Sequence, residues 1–139
     1  MFQIASFDHL ALTVRDRERS TDWYQKVFGM ERRYQDVWTG LKNPVVLCTG
    51  SVCVALFQAG SAEPLRPRGQ GQNHFALKVD RANFEKAQEE LRQHGIQFKF
   101  WDHQICHSLY LFDRDSYEIE LTTYELPAQG LSKKVRDVP

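Results

Sequence analysis

The stretch His9-Leu-Ala-Leu-Thr-Val14 returns sixty-five residues later as His74-Phe-Ala-Leu-Lys-Val79, identical at four of six positions. A repeat of this kind is read before any single element, because it sets the architecture. Both copies alternate as half-buried strands do. In the first, His9, Ala11 and Thr13 share one face, and Leu10, Leu12 and Val14 share the other.

Each copy runs on into a helix signal. Asp16 is placed to cap a helix carrying Trp23, Tyr24, Val27 and Phe28, which Gly29 ends. Asp80 precedes a second helix with Phe84, Ala87 and Leu91 on one stripe, stopped at Gly95. Strand-like segments follow at about 32–37, 44–48 and 52–58, and again at about 96–101, 107–112 and 117–124. The expected fold is therefore α+β, with βαβββ written twice. Module one covers about 7–58 and module two about 73–124, within one domain spanning 1–124. The connection from Ala59 to Gln72 holds Pro64, Arg66, Pro67, Arg68, Gly69 and Gly71, and reads as a solvated linker or as a cover whose arginines meet an anionic substrate. Residues 125–139 form a polar tail ending in Lys133, Lys134 and Arg136, read as frayed or partly docked.

Composition excludes several classes. A chain of 139 residues buries an ordinary core without staples. Eighteen basic residues balance eighteen acidic ones, so no global field points to nucleic acid or an anionic membrane. No apolar run approaches the roughly 20 residues of a membrane span. Met1 to Phe7 has neither the basic start nor the apolar stretch of a signal peptide. Cys48, Cys53 and Cys106 form neither a pairing framework nor a CxxC, and are expected to be reduced thiols of a cytoplasmic protein.

His9 and His74 are the first candidates for chemistry. A lone histidine on an apolar strand is ordinarily structural, but two at one position of two repeats are brought to comparable places by pseudo-twofold packing, as metal binding requires. Glu120 lies in Glu118-Ile-Glu-Leu-Thr-Thr123, where alternation alone also allows it simply to face water. Its counterpart at the repeat offset is Ala55. Tyr110 shares a strand face with Ser108 and Phe112, and is read either as a donor to a bound oxyanion or as a core tyrosine with its hydroxyl at the rim. His103 and His107 are candidate acid–base residues; His107 alternates away from Tyr110, which favours His103. Cys106 reads as a buried thiol. Trp23, Trp38 and Trp101 offer aromatic surface for a bound molecule, or core.

Three segments carry a resemblance: Phe7-Asp-His-Leu-Ala-Leu-Thr-Val14, Trp23-Tyr-Gln-Lys-Val-Phe-Gly-Met30, and Ser108-Leu-Tyr-Leu-Phe-Asp-Arg-Asp-Ser-Tyr-Glu-Ile-Glu-Leu121. Over about 7–124 the chain resembles the vicinal oxygen chelate superfamily of glyoxalases, bleomycin- and fosfomycin-resistance proteins and extradiol dioxygenases. The third segment is similar to the SIYFxDPDGxxIEL signature, in which the last glutamate is a metal ligand, here Glu120. Arg114 replaces the proline and Ser116 the glycine. The resemblance implies paired βαβββ modules forming a cup-shaped mixed sheet, a homodimer, and a metal held by His9, His74 and Glu120.

Two histidines and one carboxylate with open positions suit Fe(II) or Mn(II), with Zn(II) or Ni(II) as further possibilities. Ala55 stands where glyoxalase I enzymes carry a fourth ligand, which counts against that activity. Ala11 stands where glutathione-transferring fosfomycin-resistance members have threonine, and their potassium-binding loop is not recognisable in Gln104-Ile-Cys-His107. The leading expectation is an extradiol-dioxygenase-like enzyme on a small molecule that chelates the metal through adjacent oxygens, with Tyr110 and His103 as catalytic groups. The alternatives are a fosfomycin-type transferase or hydrolase, a glyoxalase-related lyase, and a non-enzymatic drug-sequestering protein.

Overall fold

Two aspartates begin the two helices. In α1 (Arg17–Phe28) the Asp16 side chain accepts from the Arg19 amide, and in α2 (Arg81–Gln93) Asp80 accepts from Asn83, each satisfying an N–H that the first helical turn leaves open. Gly29 ends α1 at φ 62°, its amide reaching the Gln25 carbonyl. Past α2, Gly95 takes φ 67° and Ile96 donates back to Leu91, a left-handed closure that a Cβ would oppose.

The computed structural model describes residues 1, 3, 5–61 and 74–127, which fall in two compact units, Met1–Pro67 and Arg68–Pro139. The expectations for Pro64 to Gly71, and for the tail beyond 127, lie outside the described residues. In the first unit, β1 (Leu10–Val14), β2 (Glu31–Arg33), β3 (Val45–Thr49) and β4 (Val52–Gln58) form a mixed sheet in the order β1-β4-β3-β2. The second unit repeats this with β5 (Phe75–Lys78), β6 (Phe98–Asp102), β7 (His107–Phe112) and β8 (Glu118–Thr123), in the order β5-β8-β7-β6. The α+β fold with βαβββ twice is therefore present, each sheet closed by one parallel pair, β1 with β4 and β5 with β8.

In the first sheet α1 lies against β3 and β4, over a face where Leu47, Val54 and Leu56 are fully buried with Tyr24. The second sheet buries Leu109, Leu111 and Ile119, with Phe84 and Leu91 of α2. Each such side chain contributes roughly 1.5–3 kcal/mol of burial.

Two expectations need correction. The second strand was expected over 32–37 but ends at Arg33, because Tyr34 turns left-handed (φ 60°) and its carbonyl collects the amides of Val37 and Trp38. Hydrophobicity alone does not reveal that turn. The reduced state expected of all three cysteines also fails: Cys48 and Cys53 form a disulfide, while Cys106 is free and buried. They are direct neighbours across the β3–β4 hairpin, their Cα atoms 4.2 Å apart, as at a non-hydrogen-bonded pair of an antiparallel ladder. Register makes the pairing, and spacing in sequence does not display it.

Candidate metal and proton-transfer site

β8 places Glu120 at the centre of the second sheet, opposite Ala76 on β5 and Tyr110 on β7. Its side chain is 11% exposed. A carboxylate so enclosed needs partners, and each oxygen has one. Ser108 Oγ donates to Oε1 at 2.5 Å, and His74 Nε2 lies 2.9 Å from Oε2. Ser108, wholly buried, also lies 3.2 Å from Thr122 Oγ1, whose hydroxyl reaches the His107 carbonyl at 3.4 Å.

Tyr110 stands edge-on to His74, ring centroids 5.7 Å apart, and its hydroxyl is hydrogen-bonded to His103 Nε2 at 2.9 Å. Burial, and then the negative charge of Glu120, push the phenol above its ordinary value. It is therefore protonated at neutral pH and able to donate. Four predicted residues thus form one chain of contacts: Glu120, His74, Tyr110 and His103.

His9 belongs to the first unit, where its Nδ1 meets Asp8 Oδ2 at 2.6 Å. A proton on Nδ1 directed at that carboxylate leaves Nε2 as the ring's free donor pair. Among the described residues, no group of three or more His, Cys, Asp or Glu side chains is gathered closely enough to hold a metal ion. The donor chemistry nevertheless fits a divalent cation, since an imidazole nitrogen and a carboxylate oxygen face each other directly on neighbouring strands.

His107 faces the other side of its sheet. Its Nδ1 meets Arg81 Nη2 at 3.0 Å, and its ring lies edge-on to Phe100. Burial, then the Arg81 charge, hold it below its ordinary 6.5, partly countered by Asp102 at 3.7 Å. Arg81 also donates from Nε to the Glu125 carbonyl, while its amide is accepted by Glu125 Oε2. Apolar periodicity does not single out this arginine, although Asp16-Arg17 and Asp80-Arg81 repeat at the two helix starts. In the first unit Gln58 accepts from the Arg17 amide, and the Arg17 guanidinium donates to the carbonyls of Gly40 and Asn43. Of the tryptophans, Trp38 and Trp101 are exposed, Trp38 against Tyr34.

This doubled module with a histidine–carboxylate pair defines a class. Residues 6–121 match the family described as "Glyoxalase/Bleomycin resistance protein/Dioxygenase superfamily", and the chain belongs to it. Among characterised relatives, the fosfomycin resistance protein FosX of Mesorhizobium japonicum is 28% identical over 138 residues, covering 96% of this chain and 95% of the relative. The glutathione transferase FosA of Serratia marcescens is 25% identical over 126 residues, covering 91% and 86%. The crystal structure of FosX from Mesorhizobium loti superposes with a TM-score of 0.65 at 28% identity, covering 87% of this chain and 93% of that one. A variant of Listeria monocytogenes FosX, complexed with Mn(II) and 1S,2S-dihydroxypropylphosphonic acid, shares the fold with a TM-score of 0.72 at 22% identity, covering 89% and 95%. No helix among the described residues is long and apolar enough to cross a membrane.

Proposed function

We propose that this chain is a divalent-metal enzyme of fosfomycin-resistance type, opening a small phosphonate-bearing epoxide by addition of water. The observation that carries the reading is the contact of His74 Nε2 with Glu120 Oε2, beside the Tyr110–His103 pair, in a chain whose relatives include FosA at 25% and FosX at 28% identity. It takes the place of the extradiol expectation, which keeps the His103–Tyr110 contact in its favour but has no relative of comparable identity among these.

His74 and Glu120 would hold the metal together with His9, from the first module of the same chain or of a second copy in a homodimer. Mn(II) is the first choice, given the ion bound by the Listeria protein. Bound there, the cation supplies Lewis acidity to a substrate oxygen. Asp8 orients the His9 ring. Tyr110, protonated, donates to an oxygen of the substrate, and His103 takes up or returns its proton. In the net step the oxygen of water bonds a ring carbon as that carbon's bond to the ring oxygen breaks. One water proton leaves through the His103–Tyr110 pair and the ring oxygen gains one, giving a vicinal diol. Ala11 favours water over glutathione as nucleophile, since the glutathione-transferring pattern has threonine there.

The test is phosphorus NMR of fosfomycin incubated with Mn(II)-loaded protein, with and without glutathione. A diol formed in both samples is expected. A thiol adduct formed only with glutathione overturns the choice of water, and unchanged fosfomycin at full metal occupancy overturns the reaction. Protein that takes up no divalent metal overturns the metal-enzyme reading. Catechols with Fe(II) in air test the extradiol reading in the same assay series.

A further inference from the structure

We infer that Ser108 is a positioning residue that restricts Glu120 to ligation through one oxygen. The inference rests on the proposed metal site. Ser108 is wholly buried, and its hydroxyl donates to Glu120 Oε1 at 2.5 Å, whereas Oε2 faces His74 Nε2 at 2.9 Å. A charge-assisted bond of this length fixes both the rotation and the polarity of the carboxylate. Thr122, itself buried, stands 3.2 Å from Ser108 Oγ and braces it.

The first module shows that the fold itself does not require this arrangement. Ala11 pairs with Ala55 as Ala76 pairs with Glu120, and Thr13 pairs with Phe57 as Lys78 pairs with Thr122. In the first module the places of Glu120 and Thr122 are thus held by a methyl and a phenyl group. Two hydroxyls and a carboxylate buried in the second must be hydrogen-bonded, and the Ser108 contacts to Glu120 and Thr122 supply those bonds.

The consequence concerns coordination number. A carboxylate free to rotate can offer both oxygens to a cation and so occupy two positions. With Oε1 held by Ser108, Glu120 offers one, and a three-residue site keeps positions open for a substrate with adjacent oxygens.

The experiment compares wild type, Ser108→Ala, Thr122→Val and Glu120→Ala. Mn(II) affinity is measured by electron paramagnetic resonance of the free ion, and water bound to the Mn(II) by proton relaxation. Steady-state kinetics on fosfomycin accompany both. Ser108→Ala is expected to bind Mn(II) at least as tightly as wild type, with relaxation enhancement lowered by the contribution of one water, and with kcat/KM about ten- to a hundredfold lower. Thr122→Val should move the same quantities less, and it decides the matter if Ser108→Ala does not fold. Unchanged relaxation enhancement in the folded variants overturns the positioning role while the metal site stands, as shown by Glu120→Ala losing Mn(II). Wild type that binds no Mn(II) overturns the site, and this inference with it.

Discussion

Glu120 and Ala55 occupy the same place in two copies of one register, Glu120 opposite Ala76 on β5 and Ala55 opposite Ala11 on β1. One half of a doubled fold carries the carboxylate, and the other shows what the sheet does without it. Glu120→Ala should therefore leave the fold intact, with metal-free stability lowered by about 1–3 kcal/mol, because the wholly buried Ser108 hydroxyl loses its acceptor. Mn(II) affinity should fall by about a hundredfold or more, roughly 3 kcal/mol. Calorimetric titration and urea unfolding of the same preparations check both halves of the statement.

His107 makes stability depend on pH. Burial and the Arg81 guanidinium lower its folded pKa below the ordinary 6.5 of the unfolded chain. The native state therefore binds fewer protons than the unfolded state, and stability rises with pH across that interval. This contribution is complete above about 6.5 and is lost as pH falls through the lower folded value. Asp102, at 3.7 Å, moderates the effect without reversing it. Urea unfolding from pH 8 to 5 should show the decline, and His107→Gln should flatten it.

The repeat made much of this legible in advance. Its offset of sixty-five residues aligns the sheet registers of both modules and so located Ala55 correctly as the mate of Glu120. Alternation along β7 separated His107 from the face of Tyr110, and the structure sets them against different partners. What escaped depends on contacts between elements distant in sequence or on single backbone angles. Arg81 bonds to His107 and Glu125, twenty-six and forty-four residues away. The turn at Tyr34 follows from one positive φ, and the cysteine pair from hairpin register. Alternation places Ser108 on the face of Tyr110, but its bond to Glu120 is a matter of side-chain geometry that no periodicity encodes.

Ser116 sits where the family signature has glycine, and it adopts φ 67°. The turn persists because Asp113 Oδ1 accepts from the amides of both Asp115 and Tyr117. A left-handed serine costs about 1–2 kcal/mol, and glycine's greater freedom in the unfolded chain returns part of that. Ser116→Gly is therefore expected to stabilise by about 0.5–1 kcal/mol, read as a higher urea midpoint at unchanged slope. Mn(II) affinity should not move, because the substitution leaves Glu120 and its partners alone.

The Cys48–Cys53 bridge gives a prediction confined to the first module. Its cysteines are separated by five positions, so it closes a very short loop and constrains the unfolded chain modestly, by about 2 kcal/mol on the loop-entropy relation. Protein unfolded without reductant should show one reactive thiol, from Cys106, and three after reduction. Reduction, or Cys53→Ser, should lower the urea midpoint to a similar extent, while Cys106→Ser should leave the effect of reductant in place. Because Cys48 and Cys53 share a buried apolar cluster with Val46 and Ala55, the loss should appear in the unfolding of the first module. Three thiols in the unreduced protein would mean that the pair is open in solution, and then reductant should change nothing.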